Sequence, residues 1–172
     1  DEAENDPARF IACILAAFAQ VGLDTGQRVR KVLEQGSSFS AVGASAALIE
    51  DFTQAAIVGM PHLLVLDDYH RIQNSSVHEL IQFLVEQLPF PLHLVLLTRE
   101  DPPLPLARWR ANNRITELRA KDLRFTVDET TEFFHHSMSL DLSAGLLSLL
   151  AMRTEGWAAG LQLAALSLQD HA

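Results

Sequence analysis

His62-Leu63-Leu64-Val65-Leu66 is a short apolar run that stops abruptly at Asp67-Asp68-Tyr69-His70, and no other stretch constrains the fold as much. Such runs suit strands buried on both faces, as in a parallel sheet. A helix is expected next, opening at Ser76, which forms with Glu79 the capping-box pattern Ser-Val-His-Glu. Val77, Leu80, Ile81, Leu84 and Leu88 line its inner face, and Pro89-Phe90-Pro91 ends it. A second apolar run, Leu92 to Leu97, terminates in Thr98-Arg99-Glu100-Asp101. Strand, helix, strand is a βαβ unit, so residues 62–66 and 92–97 are expected as adjacent parallel strands joined by a right-handed crossover.

The surroundings fit an α/β domain followed by helices. Asp6 can cap a first helix, with Pro7 in its first turn and Phe10, Ile14, Leu15 and Phe18 at helical spacing. Gly22 ends it, and Gly36 to Ser45 reads as a Gly/Ser-rich loop. A second helix carries Leu48, Ile49, Phe52 and Ala56 on one face and stops at Gly59-Met60-Pro61. Pro102-Pro103-Leu104-Pro105 is a stiff loop and Leu106 to Arg110 a helical turn. Arg114-Ile115-Thr116-Glu117-Leu118 resembles an edge strand. Thr126-Val127-Asp128-Glu129 is a second capping box, opening a helix with Phe133 and Phe134. Leu146, Leu147, Leu149 and Leu150 mark another helix, Gly156 breaks it, and Trp157 to Leu168 forms the last. The pattern changes near residue 121, giving an α/β domain over 1–120 and a small helical domain over 121–172.

Charge narrows the function classes. The net charge is −9, an unfavourable balance for a surface that binds a polyanion. Six of the 13 basic residues nevertheless lie between Arg108 and Arg124, as either a solvated face or a phosphate-facing patch. No apolar run approaches the ~20 residues of a membrane helix. The acidic N-terminus lacks the basic start of a secretory signal, and the absent initiator Met fits an excised segment. One cysteine, Cys13, cannot form an internal disulfide, which suits a reducing cytoplasm; its apolar neighbours point to a buried, inert thiol.

In open parallel sheets, ligands bind beyond the carboxyl ends of the strands. Those ends carry Asp67 and Asp68 on one strand, Thr98 and Arg99 on the other. Mg²⁺ takes oxygen ligands and often one or two carboxylates, and Arg stabilises charge on a phosphoryl group. The alternative is a pair of Asp residues that only cap a loop. His70 reads as a hydrogen-bonded neighbour rather than a ligand. His135 and His136 are adjacent on a helix, about 100° apart, and so do not share a metal easily. Trp157, with Leu161 and Leu168, reads as core packing or as a platform for a base.

Leu63 to His70 resembles the Walker B strand of the signal-transducing P-loop NTPases. Thr98 to Arg108, Glu117 to Ala120, Asp122 to Phe125 and Arg153 to Ala165 continue the likeness, as does Asp1 to Phe10. Together these are similar to the MalT-like, LuxR-type large ATP-binding transcriptional regulators. The resemblance implies a P-loop NTPase-type parallel-sheet core, here truncated, and a parent that uses ATP and Mg²⁺ as a slow regulatory ATPase. It implies Asp67 as a Mg²⁺ holder, Asp68 as the residue that orients or deprotonates the attacking water, and Arg99 as a sensor of the γ-phosphate, beside Thr98. Gly160-Leu161-Gln162 falls where the wider class has Gly-x-Pro against the base, with Gln162 in place of the Pro.

Gly-x-x-x-x-Gly-Lys-Ser/Thr occurs nowhere in these residues. In the family that loop lies upstream of the segment matching residue 1, and the DNA-reading helix-turn-helix lies far downstream. The expected function is therefore a segment of a cytoplasmic regulator's nucleotide-binding switch module, with no nucleotide bound by the segment alone. DNA would be reached through a domain outside it, and a small-molecule or protein inducer would act on the parent. Loss of a central strand would leave apolar surface that favours self-association. The competing readings are a protein-interaction module without nucleotide and a metal-dependent hydrolase.

Overall fold

A computed structural model describes residues 5–23, 26–34, 40–55, 60–90 and 92–169. The chain divides into two compact units, between Trp109 and Arg110.

In the first unit, α1 (Pro7–Gln20) starts as expected, with the Asp6 carboxylate accepting from the Arg9 amide at 2.8 Å. Phe10, Ile11, Ile14, Leu15 and Phe18 face the core. Cys13 does not: it is exposed, correcting the expectation of a buried thiol, because the helical period turns it away from that stripe. Helix α2 (Gln27–Glu34) was not foreseen. Its polar sequence gives little apolar signal, and its start is capped from α3 (Ala41–Ala55). The buried Asp51 carboxylate accepts from the Arg28 and Val29 amides at 3.0 and 3.3 Å and pairs with the Arg28 guanidinium at 3.0 Å. A cap supplied from elsewhere in the chain leaves no local motif.

Residues 41–45, expected as loop, are helical. The Ser40 hydroxyl accepts from the Gly43 amide at 3.2 Å, and Ala44 and Ser45 are small enough to bury. The Ser45 hydroxyl donates to the Ala41 carbonyl at 2.7 Å, closing its own polar group within α3. The rest of the expected loop to residue 39, like Ala56 and Gly59, lies outside the described residues.

Strands β1 (His62–Leu66) and β2 (Leu92–Leu96) are parallel, with His62 opposite Leu92 and Leu66 opposite Leu96. Helix α4 (Ser75–Glu86) joins them, so the βαβ unit is as expected. Its cap is Asn74, whose side-chain oxygen accepts from the Ser76 amide at 2.8 Å, rather than the Ser76–Glu79 box. Val77, Leu80, Ile81 and Leu84 bury against a core shared with α1, α3 and the sheet. Leu64, Leu66, Leu92, Leu94 and Leu96 belong to that core. The opposite face is open: Leu63 and Val65 are 64% and 46% exposed, so β1 is buried on one face and not on both.

The strand expected at 114–118 does not form. Described strands are β1 and β2 alone. Glu117 is instead held by Arg110 through two bonds of 2.8 Å and by Arg119 at 2.6 Å, all within the second unit. This unit begins inside α5 (Leu106–Ala111), whereas the sequence pattern changes near 121. The Thr126–Glu129 capping box forms and opens α6 (Val127–Glu132), which runs into a wider π-helical turn, Phe133–Ser137. Helices α7 (Ala144–Thr154) and α8 (Ala158–Gln169) follow, and Phe134, Leu147, Leu161 and Ala165 form the buried centre. Gly156 separates them at φ +72°. A Cβ there would stand 2.4 Å from the Phe125 carbonyl oxygen, and the Gly156 carbonyl accepts from the Phe125 amide at 2.8 Å.

Candidate functional site

The parallel register carries both polar strand ends to one edge. Beyond the Leu66–Leu96 pair, the Leu97 amide donates to the Leu66 carbonyl at 2.9 Å and the Tyr69 amide to the Leu97 carbonyl at 3.0 Å. Asp67, Asp68, Thr98 and Arg99 therefore follow the same two paired chains, and all four are exposed. Their side chains are partly committed locally. Asp67 accepts from the Asp68 amide at 2.8 Å. Asp68 adopts the left-handed conformation, φ 52°, that short polar side chains tolerate, and lies 3.5 Å from the Arg71 guanidinium. Thr98 donates to the Glu100 carbonyl at 2.8 Å, leaving its oxygen able to accept.

A 3₁₀ turn, Tyr69–Arg71, follows the two carboxylates. His70 is close to Asp68, 3.8 Å from Nδ1 to Oδ1, but that exceeds hydrogen-bond length and Nδ1 is buried without a partner. The expected hydrogen-bonded neighbour is another histidine. His78, on α4, meets the buried Tyr69 hydroxyl at 2.8 Å. Burial pushes the Tyr69 hydroxyl well above its ordinary pKa and lowers His78, against an opposing pull from a hydrogen bond to the Ile72 backbone. Nothing in the spacing of these residues marked the pair.

The donor set fits a Mg²⁺–phosphate group only in part. Two carboxylates, a hydroxyl and a guanidinium suit it, yet among the described residues no three His, Cys, Asp or Glu side chains converge on one point. A cation there would need water and phosphate oxygens to complete its shell. Arg99 has no ion-pair partner among the described residues. The basic cluster is largely occupied: Arg108 pairs with Glu86 at 3.2 Å, Arg110 and Arg119 with Glu117, and Arg124 with Glu155 at 3.1 Å.

The remaining expected contacts belong to the second unit. Gly160 lies against Thr154, where a Cβ would approach to 3.1 Å, so packing alone favours glycine; Gln162 is exposed. Trp157 is 42% exposed, with the Arg124 guanidinium 5.8 Å from its ring centre, which corrects the core-packing reading. His135 and His136 are exposed on the π-helical turn, their rings edge-on at 4.8 Å. No helix among the described residues is long and apolar enough to cross a membrane.

Comparison with known proteins finds similar sequences among transcriptional regulators. The chain is 35% identical over 167 residues to the HTH-type transcriptional regulator MalT of Yersinia enterocolitica, a match covering 97% of this chain and 18% of that protein. The chain is homologous to a segment of the MalT-type regulators. MalT of Serratia proteamaculans is 34% identical over 99% of the chain, and that of Cronobacter sakazakii 32% over 99%. These matches take up 18% and 19% of the two proteins. No family model matches. The MalT-like segment thus spans under a fifth of the relatives it resembles, and carries the acidic and Thr-Arg strand ends within that span.

Proposed function

We propose that the chain is part of the nucleotide-binding switch module of a LuxR-type transcriptional regulator, supplying its Walker B strand and its sensor strand. The register of β1 on β2 carries this reading: it puts an exposed carboxylate pair and an exposed Thr-Arg pair at one carboxyl edge. Asp67 would hold Mg²⁺, through water or directly, with Thr98 beside it at the nucleotide; the ion, when bound, neutralises phosphate charge. Asp68 orients or deprotonates the attacking water, and Arg99 meets the γ-phosphate. In the longer polypeptide this module would gate DNA binding in response to an inducer.

Calorimetry with Mg-ATP tests the reading. Hydrogen bonds to charged groups contribute roughly 1.5–3 kcal/mol each, so lacking about three of them costs on the order of 4–9 kcal/mol. Micromolar affinity corresponds to about 8 kcal/mol. These 172 residues, which hold no Gly-x-x-x-x-Gly-Lys motif, should therefore bind at millimolar concentration or weaker. The longer polypeptide that carries them should bind in the micromolar range, and Asp68→Ala there should slow hydrolysis roughly 10²–10⁴-fold. Low-micromolar binding by the 172 residues alone would show the phosphate site to be elsewhere.

The exposed Leu63, Val65 and Leu97 favour a second reading, a protein-interaction module without nucleotide. Absence of Mg-ATP binding by the longer polypeptide would select it.

A further inference from the structure

Asn5, directly before the Asp6 cap of α1, reaches a part of the chain nearly seventy residues away. Its Oδ1 accepts from the Gln73 amide at 2.6 Å and the Asn74 amide at 3.2 Å. Its Nδ2 donates to the Arg71 carbonyl at 3.1 Å, and its backbone carbonyl accepts from the Asn74 side chain at 2.9 Å. Both ends of one amide are used: Nδ2 on Arg71, the last residue of the 3₁₀ turn, and Oδ1 on residues 73–74, which belong to no helix or strand. Asn74 in turn caps α4.

This segment is the far anchor of the acidic turn. The near anchor is the Tyr69 amide on the Leu97 carbonyl, and between them the Arg71 amide donates to the Asp68 carbonyl at 2.9 Å and the Ile72 amide to that of Tyr69 at 3.0 Å. Asp68, in a left-handed conformation, lies just before the near anchor, and its carbonyl is the one held by the Arg71 amide. A non-glycine residue holds such a conformation when its surroundings fix it. With the Asn5 bonds gone, the strand-side anchor, the turn's own bonds and the buried Tyr69 with its bond to His78 would remain, but nothing among the described residues would hold the Gln73 amide and the Arg71 carbonyl.

We infer that Asn5 is a positioning residue: its amide fixes the 71–74 backbone and, through the Arg71 amide on the Asp68 carbonyl, holds Asp68 in the conformation it has at the sheet edge. The functional half of this statement rests on the nucleotide reading above; the structural half does not. The side chain has to be an amide. An Asp would keep the acceptor for Gln73 and Asn74 but set a carboxylate against the Arg71 carbonyl, and an Ala would lose every side-chain bond.

Two measurements separate the halves. The first is amide hydrogen exchange on the 172-residue chain, comparing Asn5→Ala and Asn5→Asp with the parent sequence. In Asn5→Ala, amides 71–74 should exchange ~10-fold faster or more while β1 and β2 stay protected, with Asn5→Asp between the two. The second is Mg-ATP hydrolysis by the longer polypeptide. Asn5→Ala should lower kcat ~10-fold with KM nearly unchanged, since misplacing a catalytic group affects the chemical step more than binding. Unchanged exchange at 71–74 overturns the inference whatever the kinetics. Faster exchange with unchanged kcat overturns the positioning role. Faster exchange in a protein whose unsubstituted form neither binds nor hydrolyses Mg-ATP overturns the nucleotide reading while Asn5's hold on the turn stands.

Discussion

The two units solve the same burial problem with different means. The first draws its core from three helices, a connecting helix and both strands, so that Phe52, Leu80 and Ile81 are enclosed by elements far apart in sequence. The second, among the described residues, centres on Phe134, Leu147, Leu161 and Ala165, with partly buried neighbours such as Phe125 and Phe133. It depends correspondingly more on backbone detail: a capping box at Thr126 and a glycine at 156 pressed on Phe125. A large core tolerates an imperfect turn because its stability is spread over many contacts, whereas a small core depends on each of its turns.

Large-to-small substitution should sharpen that contrast most. Phe52→Ala removes a fully enclosed ring and is expected to destabilise the first unit by about 3–5 kcal/mol. Urea unfolding followed at Tyr69, the sole tyrosine of the chain, reads this unit. A loss under about 1 kcal/mol would mean that the core is looser than its burial implies. Gly156→Ala comes next. The positive φ and the 2.4 Å approach to the Phe125 oxygen should cost about 1–3 kcal/mol, confined to the second unit. With the other tryptophan removed by Trp109→Phe, Trp157 fluorescence should report the earlier transition while Tyr69 reports none; coincident shifts in both would break the division into units.

The smallest effect is the pH dependence. Tyr69 has its pKa raised from 10.0 by burial, so the unfolded chain releases that proton first. Its contribution to stability is complete below about pH 10 and is lost as pH rises beyond it. His78 is lowered from 6.5, again mainly by burial, so the fold keeps it neutral. That contribution is complete above about pH 6.5 and is lost as pH falls below it. In the second unit, hydrogen bonds from the Thr126 amide and hydroxyl hold Glu129 below 4.5, and Arg110 and Arg119 hold Glu117 down to about 2. Both contributions are present above about pH 4.5 and fade only on acidification through it. The first unit should thus weaken in mild acid, where the second does not. Phenolate absorbance checks the alkaline limb: ionisation near pH 10 with the fold intact would remove Tyr69 from its buried pair.

Period and punctuation were enough to find much of this molecule. The alternation from apolar runs to an amphipathic helix gave β1, α4 and β2, because a strand–helix–strand pattern has few ways to bury its apolar side. Asp6 with Pro7, and Thr126 with Glu129, announced helix starts because those caps are local hydrogen bonds between near neighbours. The same local chemistry placed Asp67, Asp68, Thr98 and Arg99 at strand ends.

What only the tertiary structure decided are the features made by residues distant in sequence. Helix α2 starts where Asp51 reaches across from α3, and the acidic turn is tied by Asn5 from before α1 and by Tyr69 to His78. The Arg114–Leu118 segment reads as a strand but has none beside it among the described residues; Arg110 and Arg119 hold its Glu117 instead. A strand exists only where another backbone offers its hydrogen bonds, and a sequence states its own propensity without stating its partner.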